Sequence, residues 1–311
     1  MNPIKFKIID HNTAKNFCDP ILPKSWLDGY KSSKANALEK IDIFQKNGRE
    51  INQEYTRFDL FEENSDPEIY VSPYYLELFE FAGYGHLIPD YVEEICRHYK
   101  DNLVVFQWNH DNDFSKYSSR ISRIENARII NFGNTQTKKK TDILVPFWNY
   151  NTKKYMEQKK VFCSFVGSIN NSTRCSLAKS ILNSNDPDFV FIEKLLEKEY
   201  LNYLSSSEFS LCPQGGPGNG GFSYRFFECM HLNTIPVLMV DNLIFPYENT
   251  IDWDKLCVRL PQSLVNISQI KEILIRIDKE KMLEYIDLNR IKFTLGGVQE
   301  TVYRKLFEDL K

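Results

Sequence analysis

The chain has no paired-cysteine motif, no long apolar run and no excess of either charge, and each lack removes a class of function. Its seven cysteines, Cys18, Cys96, Cys163, Cys175, Cys212, Cys229 and Cys257, are odd in number and scattered, without a C-x-x-C pair. That pattern offers neither a zinc knot nor a redox pair and predicts reduced, mostly buried thiols. No run of 18 apolar residues occurs, and the opening MNPIKFKIIDHNTAKNF lacks the apolar centre of a secretory signal. A cytoplasmic protein is expected, and the sequons at Asn170, Asn171 and Asn266 then carry no glycan. The 39 basic and 42 acidic side chains nearly cancel, leaving a net charge of -3. This balance gives no footprint for nucleic acid, so any basic site has to be local. Repeats and low-complexity tracts are missing too.

What is present suits an α/β enzyme. A length of 311 residues with 42% hydrophobic side chains allows about two domains of roughly 150 residues. The first 60 residues are polar and irregular, with KSSKANALEKIDIFQKNG their one helix-like piece. EIYVSPYYLELFEFAGYG then reads as a strand, a turn at Pro73 and an aromatic helix. PDYVEEICRHYK carries Tyr91, Ile95 and Tyr99 on one helical face and feeds NLVVFQW, a buried parallel strand. ARIINFG and DILVPFW add short strands, and the polar NYNTKKYMEQKK, residues 149–160, reads as a linker. The rhythm restarts with VFCSFVGS (strand and turn), TRCSLAKSILN (helix), FVFIE (strand), EYLNYLSSSEF (helix) and SLCP (strand). Alternating helices and strands predict parallel sheets in two successive units.

The next stretch, QGGPGNGGFSYRFFECMHLNTIPVLMVD, contains five glycines: Gly215, Gly216, Gly218, Gly220 and Gly221. Glycines between a strand and a helix let backbone N–H groups approach an anion, and the helix N-terminus adds a favourable field. Residues 216–221 also satisfy G-x-G-x-x-G, with Asp241 where a dinucleotide fold keeps its ribose-binding acid. Against that reading, the following helix opens with Phe222, Tyr224, Phe226 and Phe227, where tight packing on a dinucleotide strand needs small residues. No Lys-Ser/Thr pair makes it a P-loop. At 100° per residue Arg225 and Glu228 share a face, opposite Phe226, Phe227 and Met230. The plain alternative is a surface ion pair worth a few tenths of a kcal/mol. The functional one gives Arg225 to a diphosphate and Glu228 to ribose hydroxyls.

Residues 207–261, SEFSLCPQG…YRFFECMHLNTIPVLMVDNLIFPYENTIDWDKLCVRLP, resemble the signature half of the exostosin-type glycosyltransferases of family 47. That family's pattern is a Ser-x-Phe-x-Leu-x-Pro-x-Gly strand, an Arg-x-x-Glu helix, a Gly-Cys-Ile-Pro-Val strand, a Pro-Phe turn and an Ile-Asp-Trp segment. DPEIYVSPYY, NHDND, KTDILVPF and FVGS with Arg174 and Leu177 resemble its upstream segments in the right order, so the resemblance runs from about residue 66 to 265. It departs at Asn233-Thr234, where the family has Gly-Cys, and in a longer glycine loop. Animal and plant members also begin with a membrane anchor.

The resemblance implies a GT-B fold: two Rossmann-like lobes with parallel sheets facing a cleft. It places an acceptor-side lobe at 1–150, a linker at 151–160, a donor lobe at 161–285 and a C-terminal helix at 286–311 that could return to the first lobe. It further implies inverting transfer from a nucleoside-diphosphate sugar, a UDP-sugar being expected, to a saccharide or lipid-linked glycan, with no cofactor and no catalytic metal. Donor-binding candidates are Gly167, Ser168, Arg174, Gly215, Gly216, Gly218, Gly220, Gly221, Ser223, Arg225 and Glu228. Asp111 is the chosen general base, with His110 as alternate and Asp66, Glu77 and Glu80 as other acids. Three rivals stay open: an inactive GT-B partner that binds glycans, a GT-A enzyme holding a metal on Asp111 and Asp113, and the dinucleotide enzyme. The tail reads as two or three helices striped by Ile270, Ile273, Ile277 and Leu283. Its role is core packing or, through Lys271, Arg276, Lys279 and Lys281, peripheral membrane contact.

Overall fold

A computed structural model describes residues 5–9, 62–63, 67, 69–76, 79, 85–108, 115–131, 142–146, 157–215, 222–241 and 243–307. These form two separate, wholly parallel sheets. The first contains β1 (Lys5–Ile8), β2 (Glu62–Glu63), β3 (Ile69–Tyr75), β4 (Leu103–Trp108), β5 (Ala127–Asn131) and β6 (Asp142–Leu144) in the order β2-β1-β3-β4-β5-β6. Two helices described with it are α1 (Ile88–His98) and α2 (Ser115–Ile121). The second sheet contains β7 (Val161–Val166), β8 (Phe189–Ile192), β9 (Ser207–Pro213), β10 (Ile235–Met239) and β11 (Val258–Leu260), ordered β11-β10-β9-β7-β8. Its helices are α3 (Ser172–Ser184), α4 (Glu197–Ser205), α5 (Tyr224–His231) and the short α6 (Trp253–Leu256). The chain closes with α7 (Ile267–Leu274), α8 (Lys279–Asn289) and α9 (Leu295–Phe307). This is the two-unit parallel α/β organisation expected for GT-B.

Parallel strands need both faces covered, so their sequences are apolar runs. Val104, Phe106, Ala127 and Ile129 pack under Tyr91, Val92 and Ile95 of α1. Val71, Val105, Ile130 and Ile143 belong to a larger apolar cluster that also holds Val298, Val302 and Leu306 of α9 and the core of the second sheet. In that second core Phe226 and Phe227 of α5 join Phe222, Phe245, Trp253 and Phe293 in an aromatic cluster with ring centroids 4.8 to 6.0 Å apart. The bulky opening of α5 is therefore a packing device, at about 1.5–3 kcal/mol per buried phenylalanine.

Three expectations change. β1 is a strand hydrogen-bonded between β2 and β3, so part of the N-terminal stretch read as polar and irregular lies within the sheet. Pro73 sits inside β3, where a register shift between Val71 and Tyr75 spares the ladder the missing N–H. β9 begins at Ser207, so the residues SEF belong to a strand. Here Lys159 Nζ donates to the carbonyls of Ser205 and Ser207 at 2.8 and 2.7 Å, capping the end of α4 as the chain turns into β9. The departure at Asn233-Thr234 also has a physical reason. Asn233 has φ 56°, the left-handed conformation that glycine takes most easily and asparagine next. Thr234 Oγ1 then bonds the Leu204 carbonyl at 2.8 Å.

The described cysteines are all unpaired as disulfides, and five of those six are buried. Tail residue Ile270 is in the core, with Ile273, Ile277 and Leu283 packed against it. No helix among the described residues is long and apolar enough to cross a membrane.

Candidate functional site

In both sheets the strand order reverses once, and ligands of doubly wound sheets bind beyond the carboxyl ends of the strands at that reversal. For the second sheet the reversal lies between β7 and β9, since β7 leads outward to β8 and β9 leads the other way to β10. The segments leaving those two ends are Gly167-Ser168 and Gln214-Gly215.

Two arginines converge there. Arg174, in the first turn of α3, is 6% exposed and donates from Nε to the Gln214 carbonyl at 3.0 Å and from Nη1 to the Ser168 carbonyl at 3.2 Å. Asn171 caps α3, its Oδ1 accepting from the Arg174 backbone at 2.9 Å while its Nδ2 donates to the same Gln214 carbonyl at 3.2 Å. Arg174 thus ties the segment after β7 to the segment after β9.

Arg225, in the first turn of α5, is also 6% exposed. Its Nη1 donates to the Leu211 carbonyl at 3.1 Å, and its guanidinium lies 5.1 Å from the centre of the Phe165 ring. It reaches across β7 because residue 167 has no side chain: a Cβ on Gly167 would come 1.9 Å from Arg225 Nη2. Gly167 also has φ +153°. Gly215 makes a looser approach, its absent Cβ lying 3.9 Å from Arg174 Nη2 and 3.7 Å from the Ser223 Cα.

The electrostatics of this corner are unbalanced. Burial and the neighbouring positive charge of Arg225 lower the pKa of Arg174 to about 10. Among the described residues neither guanidinium is paired with a carboxylate. Arg225 Nε and Ser223 Oγ are buried without a hydrogen-bond partner, and Ser223, the N-cap of α5, makes no capping bond through its side chain. Two buried like charges cost several kcal/mol unless an anion lies with them. Backbone N–H groups at the start of α5 add to the same field.

Glu228, one turn further along α5, accepts a hydrogen bond from Tyr200 Oη of α4. Tyr200 is partly buried, and burial first, then the Glu228 charge, raises its phenol well above its ordinary range. The surface ion-pair alternative for Arg225 and Glu228 therefore fails: Arg225 is buried and bonded to the Leu211 carbonyl, and Glu228 is held by Tyr200. Asp241 also has a structural task, its Oδ1 accepting the Gln262 backbone N–H at 2.9 Å.

The structure brings together Gly167, Ser168, Arg174, Gly215, Ser223 and Arg225, with Glu228 a turn away. Gly216, Gly218, Gly220 and Gly221, the acids Asp66, Glu77 and Glu80, and the segment with His110, Asp111 and Asp113 lie outside the described residues. Sequence reasoning missed Asn171, Gln214 and Tyr200. Asn171 was readable as a cap preceding a helix, whereas Gln214 and Tyr200 acquire their roles only through contacts distant in sequence.

The exostosin GT47 domain matches residues 93–277, more than half of the chain. The chain belongs to the exostosin GT47 family. Over 109 residues, 34% of this chain, it is 28% identical to a probable glycosyltransferase of Arabidopsis thaliana. Over 86 residues, 28% of the chain, it is 29% identical to the exostosin-1 homolog of Caenorhabditis elegans. The matched segments span 22% and 21% of those two relatives, about a fifth of their length. Among solved structures, Anabaena HepE in complex with UDP has a TM-score of 0.49 at 9% identity, covering 78% of this chain and 79% of that one.

Proposed function

We propose that this GT47 chain is an inverting glycosyltransferase that moves a sugar from a nucleoside diphosphate to a saccharide hydroxyl, in making a surface polysaccharide or glycan. The observation that carries the reading is the pair of buried arginines at the β7/β9 switch, mutually repelling and without a carboxylate between them among the described residues. A diphosphate supplies the missing charge. Arg174 and Arg225 present guanidinium groups to its oxygens, and Ser223, Ser168 and the glycine segment from Gly215 contribute hydroxyl and backbone donors. Glu228, steadied by Tyr200, takes the ribose hydroxyls.

In the reaction a base removes the proton of the acceptor hydroxyl, and the oxygen attacks the anomeric carbon opposite the departing phosphate. The bond from that carbon to the phosphate oxygen breaks, and its electron pair leaves with the diphosphate. The arginines stabilise that developing charge without a metal. Asp111 is our choice of base, with His110 as alternate; both follow β4 in sequence. The acceptor then lies against the first unit and is a saccharide or a lipid-linked glycan.

The test is release of nucleoside diphosphate from a panel of UDP-, GDP- and ADP-sugars with saccharide acceptors, and product anomeric configuration by NMR. Acceptor-dependent release with inversion supports the reading. Nucleotide binding without transfer to any acceptor identifies an inactive GT-B partner instead.

A further inference from the structure

Gln262 was not among the candidate site residues, yet it touches loops from every part of the second sheet's carboxyl edge except that of β8. It follows β11 by two residues. Its backbone N–H donates to Asp241 beyond β10, and its Nε2 donates to Gln214 Oε1 beyond β9. Its Oε1 accepts from Thr173 Oγ1, in the first turn of α3 beyond β7, at 3.3 Å. One side chain and one amide thus join four strand ends.

Gln214 is the element this arrangement controls. Its main-chain carbonyl is held by Arg174 and Asn171, and its side chain, nine-tenths buried, is held by Gln262. The residue is gripped from both sides immediately before Gly215, where the glycine-rich segment departs. Neither hydrogen bond of the Gln262 side chain is needed to build a helix or a strand. Gln262 itself is half-buried, so its loss removes little apolar packing.

We propose that Gln262 is a positioning residue for the diphosphate site: through Gln214 and Thr173 it fixes the start of the glycine segment against the N-terminus of α3. This rests on the donor-site reading above. A latch of this kind acts on binding, because it orders the donor-binding elements before the ligand arrives, and it has no group that reaches the reacting atoms.

The experiment measures UDP and inorganic pyrophosphate binding by calorimetry in the wild type, Gln262→Ala, Gln214→Ala and the double variant, with thermal unfolding of each. For any nucleotide sugar that turns over, KM and kcat are determined as well. Gln262→Ala is expected to weaken UDP about five- to ten-fold, raise the donor KM by a similar factor and leave kcat within about two-fold. The double variant should bind no more weakly than Gln262→Ala alone, because that change already removes the bond to Gln214 together with the one to Thr173. Unchanged affinity in Gln262→Ala, or full additivity with Gln214→Ala, overturns the positioning role while leaving the diphosphate site intact. If the wild type binds neither UDP nor pyrophosphate, the donor-site reading fails, and the latch with it.

Discussion

Arg225 lies over the α-carbon of Gly167 so closely that a Cβ there would stand 1.9 Å from its Nη2. The bareness of residue 167 and the position of the arginine are one feature. Gly167→Ala should therefore displace the guanidinium and, at φ +153°, strain the backbone as well. We expect UDP affinity to fall about ten-fold or more, with stability lower by about 1–3 kcal/mol. Calorimetric titration beside thermal unfolding checks both, and unchanged affinity would separate Gly167 from the site.

Arg174 binds two strand-end segments through three carbonyls, those of Gln214, Ser168 and Pro213. Arg174→Ala leaves these acceptors short of a donor and removes half of the local positive charge. Both stability and nucleotide affinity should drop, the former by about 2–3 kcal/mol. Arg174→Lys keeps the charge but not the fork, and recovers only part of the affinity. Urea denaturation and nucleotide titration of the two variants distinguish the structural loss from the electrostatic one.

Tyr200 donates a partly buried hydrogen bond to Glu228. Tyr200→Phe keeps the ring and deletes only the donor, so the cost should be about 1.5–3 kcal/mol, the range for a bond to a charged group. If Glu228 holds the ribose, UDP binding weakens in this variant more than pyrophosphate binding, which lacks the ribose. Equal losses for the two probes would contradict that role.

The arginine corner was only partly legible beforehand. Arg225 and the glycine segment announced themselves through residue type and spacing, and the apolar runs of β4, β7 and β10 were readable because buried parallel strands need few polar residues. Other parts depend on the fold itself. β1 is short and set in a polar stretch, and becomes a strand only because β2 and β3 flank it. Gln214 and Gln262 are ordinary residues 48 positions apart, and Asp241 looked like a ribose ligand until its partner was seen to be the Gln262 backbone.

His231 offers a test of the packing around α5 that is independent of ligand. It is buried, with Nε2 lacking a hydrogen-bond partner, and burial lowers its pKa below the ordinary 6.5. The unfolded chain therefore takes up this proton at a higher pH than the folded one. Stability should fall as the pH drops through about 6.5 and continue to fall until the lower folded-state pKa is passed. His231→Gln should flatten that dependence between pH 7.5 and 5.5 in thermal unfolding; an identical slope would show that another group carries it.

The central claim is that the β7/β9 switch binds a nucleoside diphosphate through Arg174 and Arg225. Its most direct measurement is calorimetric titration of UDP into the wild type and Arg225→Ala, with circular dichroism confirming the fold of both. The account predicts saturable one-to-one binding to the wild type and affinity at least about ten-fold weaker in the variant. Equal affinity in a folded Arg225→Ala, or no binding of UDP, GDP or ADP to the wild type, would contradict it.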